Sequence, residues 1–108
     1  MKFYKNSDGY LKVEADESMH LVSSFLEHDV QNSVYGVDEY LSACDSVSNG
    51  DVPRWEGTGN AHTVTIKKNG VNIYNEYTNE EMNISTISEF KKILENWKKL
   101  ILEGNSLA

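Results

Sequence analysis

Apolar and polar residues alternate most regularly between His62 and Tyr74. Val64, Ile66, Val71 and Ile73 fall on one side of two extended runs, and Thr63, Thr65, Asn72 and Tyr74 on the other. Asn69-Gly70 separates the runs. An Asn-Gly pair suits the positive φ of both central residues in a type I′ turn, so the pattern predicts a β-hairpin within Trp55 to Tyr77. A loop of Asn69 and Gly70 sets Lys68 opposite Val71, Ile66 opposite Ile73 and Val64 opposite Asn75, with the Val64 face turned to the core.

A second hairpin is expected over about residues 2 to 14, where Phe3 and Tyr4, then Tyr10, Leu11 and Val13, flank the turn cluster Asn6-Ser7-Asp8-Gly9. Apolar positions then change to helical spacing. Met19, Val22, Phe25 and Leu26 predict a helix from Asp16 to near Asp29, capped by Asp16 or Ser18. Gln31-Asn32-Ser33 breaks the pattern, and Val37, Tyr40, Leu41, Cys44 and Val47 form the stripe of a second helix that Asn49-Gly50 stops. Tyr35 falls in the break before this helix. The longest stripe is Ile87, Phe90, Ile93, Leu94, Trp97, Leu100 and Ile101, opened by the capping box Thr86-Ile-Ser-Glu89 and closed by Gly104. Between the helical regions, Glu56 to Asn60 reads as a tight turn that sets Trp55 against the sheet, and Met82 to Ile84 as a short edge strand. Hairpins and helices thus occur in separate runs, which predicts an α+β fold: an antiparallel sheet built from two hairpins, with helices packed against it. A length of 108 residues allows one domain with one core, with the last few residues loose.

Charge changes the picture more than composition does. The net charge is −7, and Glu14 to Glu56 carries ten acidic residues against one base, Arg54. Residues 1–13 carry +2 and residues 57–108 sum to zero. A field of this kind repels nucleic acid and anionic membrane and speeds encounter with a basic partner. The same carboxylates also serve as an ordinary solubilising surface. No apolar run approaches the ~20 residues that span a bilayer, and the first residues lack the apolar segment of a secretory signal, so a bacterial cytosolic protein is expected. Cys44, the only cysteine, has no partner for an internal disulfide and sits in an apolar stripe as a small buried hydrophobe.

Local signatures of catalysis are missing: there is no Gly-x-Ser-x-Gly, Cys-x-x-Cys, His-Glu-x-x-His or acidic calcium loop. Gly57 and Gly59 lack the Lys-Ser or Lys-Thr of a nucleotide loop and precede a strand where a phosphate cradle should open a helix. His20 and His28 lie eight apart, outside the i, i+4 relation of helical zinc sites, so neither metal nor cofactor is expected. His62, beside a Trp and several carboxylates, reads as a histidine bonded at the sheet edge, with the acid–base group of a small hydrolase as the alternative.

Three segments together suggest a family. His20-Leu-Val-Ser-Ser-Phe-Leu-Glu-His-Asp-Val-Gln-Asn32, then Trp55-x-Gly57-x-Gly59-Asn-Ala-His-Thr-Val64, then Ile87-Ser-Glu-Phe-x-x-Ile-Leu-x-x-Trp97 resemble small immunity proteins of bacterial contact-dependent growth inhibition systems. The resemblance implies a cytosolic protein that binds and blocks a toxin domain delivered by a neighbouring cell, often a nuclease; separately, the domain is expected to be a monomer when unbound. It implies no individual binding residue. Those are proposed from charge and pattern instead: Glu17 and Glu27 on the first helix, Asp38, Glu39 and Asp45 on the second, and Tyr35 as the adjoining aromatic anchor. An acidic mimic of DNA that binds a host protein is a further alternative, and the neighbouring gene would separate these classes.

Overall fold

The structure, a computed structural model, describes residues 1–106. Its strands are β1 (Lys2–Lys5), β2 (Leu11–Glu14), β3 (Arg54–Thr58), β4 (His62–Lys67), β5 (Gly70–Asn75) and β6 (Glu81–Ile84). Helix α1 is α-helical over His20–Phe25, entered through a 3₁₀ turn at Glu17–Met19 and continued by a π turn at Leu26–Val30. Helices α2 (Val34–Ser48) and α3 (Ile87–Ser106) complete the α+β arrangement.

The two hairpins do not join into one sheet. β1 and β2 form a separate two-stranded ribbon, while β3-β4-β5-β6 form a four-stranded antiparallel meander. In the ribbon turn, the Asn6 side-chain oxygen accepts hydrogen bonds from the Asp8 and Tyr10 amides at 3.0 and 2.9 Å, the local turn chemistry that such a sequence favours. Phe3 reaches Trp97 of α3, with ring centroids 6.3 Å apart, so the ribbon packs on the last helix.

Val64, Ile66, Val71 and Ile73 all face the core, as the alternation predicts. Their register differs by two residues from the expected one: Ile66 pairs with Val71 and Val64 with Ile73, so the loop consists of Lys68 and Asn69. A shift of two preserves the faces where a shift of one would invert them. Asn69 does not take positive φ; Gly70 does, at 143°. A Cβ on Gly70 would lie 2.7 Å from the Ile84 carbonyl oxygen, so glycine is needed there for close approach of the next strand. The expected tight turn at Glu56 to Asn60 is also corrected, because Arg54–Thr58 forms an edge strand and only the following residues turn. Gly57 makes room in that strand for the Trp55 ring, since a Cβ would come within 2.4 Å of it.

Helices cover one face of the sheet. Phe25, Val37, Cys44, Phe90, Leu94, Trp97 and Ile101 bury their side chains among the inward strand residues. Tyr40 stands edge-on to both Phe25 and Trp55, at centroid distances of 5.0 and 5.5 Å, and burial first, then the charges of Asp29 and Glu39, pushes its hydroxyl pKa up to about 12. Ser33 caps α2 by accepting the Gly36 amide at 2.9 Å. Tyr35 therefore lies in the first turn of α2, not in the break before it. Neither Asp16 nor Ser18 caps α1 in the expected way: the 3₁₀ turn intervenes, and the Asp16 side chain makes no capping bond. In α3, Thr86 accepts the Glu89 amide at 3.1 Å, which is the hydroxyl half of the capping box. The helix then runs through Gly104 to Ser106, so Gly104 does not end it. Of the residues expected to be loose, Asn105 and Ser106 continue the helix, and 107–108 lie outside the described residues.

Two predictions follow from this packing. Trp97 is fully buried and donates its indole N–H to the Gln31 carbonyl at 2.7 Å. Trp97→Ala should therefore lower unfolding free energy by about 3 to 5 kcal/mol in urea denaturation, and an unchanged midpoint would show that α3 does not dock on the core. Cys44 is buried, and desolvation raises its thiol pKa to about 12, so it stays protonated at neutral pH. Iodoacetamide should label it slowly in the native protein and rapidly in urea; equal rates would contradict its burial.

Candidate functional site

The six residues expected at an interface divide into three environments. Tyr35, Asp38, Glu39, Ser42 and Asp45 recur at spacings of three and four along α2, so they share its solvent side. Tyr35 is 82% exposed, and α2 contains no Lys or Arg. Within this face, Asp38 pairs with Lys98 at 2.7 Å and Asp45 with Lys91 at 2.8 Å, both bases coming from α3. These bridges stitch the two helices across a groove of about 620 Å³ lined by Leu41, Leu102 and the lysines. All four side chains remain about a third to a half exposed, so each pair contributes little to stability. Glu39 is exposed and has no ion pair among the described residues, which makes it the carboxylate of this face most available to a partner.

Glu27 departs from its expected role. One oxygen meets Lys12 Nζ at 3.2 Å and the other accepts the Val13 amide at 3.0 Å, with the side chain only 16% exposed. It fastens the N-terminal ribbon to α1 and does not stand free in solvent. Glu17 is exposed in the 3₁₀ turn of another element, away from the α2 series. The structure thus brings together Tyr35, Asp38, Glu39 and Asp45, and separates Glu17 and Glu27 from them.

The histidines also find places. His20 bonds Glu80 through Nε2 at 3.0 Å and the Glu17 carbonyl through Nδ1 at 3.0 Å; that backbone bond does most to raise its pKa, desolvation opposes it, and the Glu80 charge adds to the rise. His28 bonds the Ser24 carbonyl at 3.0 Å. Among the described residues no cluster of three or more His, Cys, Asp or Glu side chains is placed to hold a metal.

His62 is completely buried at the start of β4, an interior strand, rather than at a sheet edge. Its Nδ1 lies 3.0 Å from Asp29 Oδ1. A carboxylate accepts, so this nitrogen carries the hydrogen, and Nε2 is left buried with no hydrogen-bond partner. Asp29 also accepts the Ala61 amide at 3.1 Å and the His62 amide at 2.9 Å. Its side chain has no exposed surface, and Gly59 leaves room for it, since a Cβ there would come within 2.6 Å of Oδ2. With no exposed surface, His62 cannot meet a substrate without local opening. Sequence reasoning did not single out Asp29, yet a signal existed: it continues the Val22, Phe25, Leu26 stripe by three or four residues, placing an acid in line with core positions.

Comparison of the chain with models of protein families, with curated proteins and with solved structures gives no match. For the buried pair, Asp29→Ala strands three N–H donors and should cost about 3 to 5 kcal/mol, with Asp29→Asn intermediate because it keeps the shape. Urea titration of the two variants measures this, and a wild-type midpoint for Asp29→Ala would show that the pair does not hold α1 to the sheet.

Proposed function

We propose that this protein is an immunity-type inhibitor: a bacterial cytosolic monomer, without cofactor or turnover of its own, that binds and neutralises a cognate toxin domain. The partner is a basic domain, a nuclease, and the binding surface is the solvent side of α2. The observation that carries the reading is Tyr35, 82% exposed at the head of a helix whose outer side bears Asp38, Glu39 and Asp45 and which has no base. Nucleases are basic because they bind phosphate backbones, so carboxylates presented on a helix steer them into contact and occupy the place of phosphates. Tyrosine beside such charges is a common energetic centre of an interface, since it buries a large ring at small entropic cost. Asp38 and Asp45 must share or exchange their lysines on binding, whereas Glu39 need not, which puts the energetic centre at Tyr35 and Glu39.

The test first asks whether a gene neighbouring this one encodes a toxin domain, and then uses that domain as the partner. Tyr35→Ala and Glu39→Gln remove no intramolecular ion pair, so their thermal midpoints should match wild type. A desolvated carboxylate paired with a toxin cation is worth about 2 kcal/mol or more, so Glu39→Gln should weaken binding roughly thirtyfold and flatten its salt dependence. Undiminished affinity in both variants would remove this face from the interface. A neighbouring gene with no toxin domain, or a toxin domain that does not bind, would remove the class.

A further inference from the structure

The helices leave the second face of the four-stranded sheet open, and its side chains form rows across the strands. Register places Arg54 directly opposite Lys67, and Lys67 opposite Gly70; the next row runs Glu56, Thr65, Asn72 and Asn83. Two cations facing each other across adjacent strands repel, a repulsion that the exposed Arg54–Glu56 ion pair offsets only in part. They stand over a cavity of about 510 Å³ whose lining includes Arg54, Lys67, Gly70, Asn72, Asn83 and Ser85 and contains no carboxylate. In a chain of net charge −7, a hollow with two cations and no acid in its wall is a marked departure from the rest of the surface.

Two of its donor groups, Arg54 and Asn83, are held by neighbours. Arg54 gives one guanidinium N–H to Glu56 at 3.0 Å, which orients the group and leaves the others available. Lys67 has no ion pair among the described residues. Asn83 accepts from Asn72 through its side-chain oxygen at 3.0 Å, so its own N–H groups are unspent among the described residues. At Gly70 the strand runs so close to β6 that a Cβ would meet the Ile84 carbonyl oxygen at 2.7 Å, which keeps this end of the sheet free of a side chain. The hollow is flanked by Arg54 and Lys67 on one side and by Asn83 and Ser85 on the other.

We propose that this cradle binds a tetrahedral oxyanion, phosphate or sulfate, through Arg54 and Lys67, with Asn83 and Ser85 completing the donor set. An anion there relieves the cross-strand repulsion and accepts charge-assisted hydrogen bonds from both cations. Bound phosphate joins β3, β4 and β6, so it also stiffens the open side of the sheet. The site is separate from the solvent face of α2 and does not depend on what binds there.

Inorganic phosphate, sulfate and acetate are titrated into the full chain at constant ionic strength, with backbone and side-chain amide shifts followed by NMR and the thermal midpoint measured in parallel. Phosphate and sulfate should give saturable shifts confined to Arg54, Lys67 to Gly70, Asn83 and Ser85, and should raise the midpoint. In Arg54→Gln/Lys67→Gln the affinity should fall at least about tenfold, as expected for loss of charge-assisted bonds. The same variant without phosphate should keep the wild-type fold by its amide spectrum and melt close to wild type, since loss of the half-exposed Arg54–Glu56 pair is offset by removal of the opposed charges. Non-saturating or dispersed shifts, equal binding of acetate, or unchanged phosphate affinity in the double variant would each overturn the proposal.

Discussion

Burying the Asp29 carboxylate in an apolar interior would cost several kcal/mol if its oxygens were not supplied with donors, and the way they are supplied organises the molecule. Two backbone amides at the entry to β4 and the His62 ring nitrogen meet it. A regular helix does not reach this arrangement; the last turn of α1 widens to π geometry, and the Gln31 amide bonds back to the Leu26 carbonyl at 2.8 Å. Gln31 then takes φ 54°, and its own carbonyl accepts the Trp97 indole. One widened turn thus ties the first helix to the sheet on one side and to the last helix on the other.

The same geometry explains why the acidic half of the chain is not a simple negative field. Asp29 is consumed by the core, Glu27 by the N-terminal ribbon, and Asp38 and Asp45 by lysines of α3. Helix α3 carries its lysines at positions that meet α2 across a shared groove, so part of the charge segregation along the sequence is cancelled in space. On α2, Glu39 beside exposed Tyr35 is the carboxylate left without an ion pair among the described residues.

An antiparallel sheet needs only one covered face. Here the helices cover the face bearing Val64, Ile66, Val71 and Ile73, and the opposite face keeps a lattice of short polar bonds, including Thr58 to Thr63 at 2.8 Å and Thr65 to Glu56 at 3.2 Å. Such a lattice fixes side-chain positions on a flat surface without burying them. It holds Arg54 through Glu56, whose carboxylate accepts from both Arg54 and Thr65.

What the sequence by itself determined was everything that repeats locally: the faces of β4 and β5, the N-terminal hairpin, the stripes of α2 and α3 and the Thr86 cap. These are set by periods of two and 3.6 residues and by side chains bonding to backbone a few positions away. Tertiary structure decided the rest. The β4–β5 register lies two residues from the local expectation, with Gly70 admitting the Ile84 carbonyl, and β3 runs through a glycine-containing segment where the Trp55 ring folds over Gly57. Asp29 met His62, Glu27 met the Val13 amide, and Lys91 and Lys98 met Asp45 and Asp38, each across fourteen or more residues of chain. Pairings of that range leave no period in the sequence, because they depend on which surfaces the packed elements bring within hydrogen-bond distance. For that reason the candidate carboxylates could be named from the sequence, but only the fold could show which of them were already occupied.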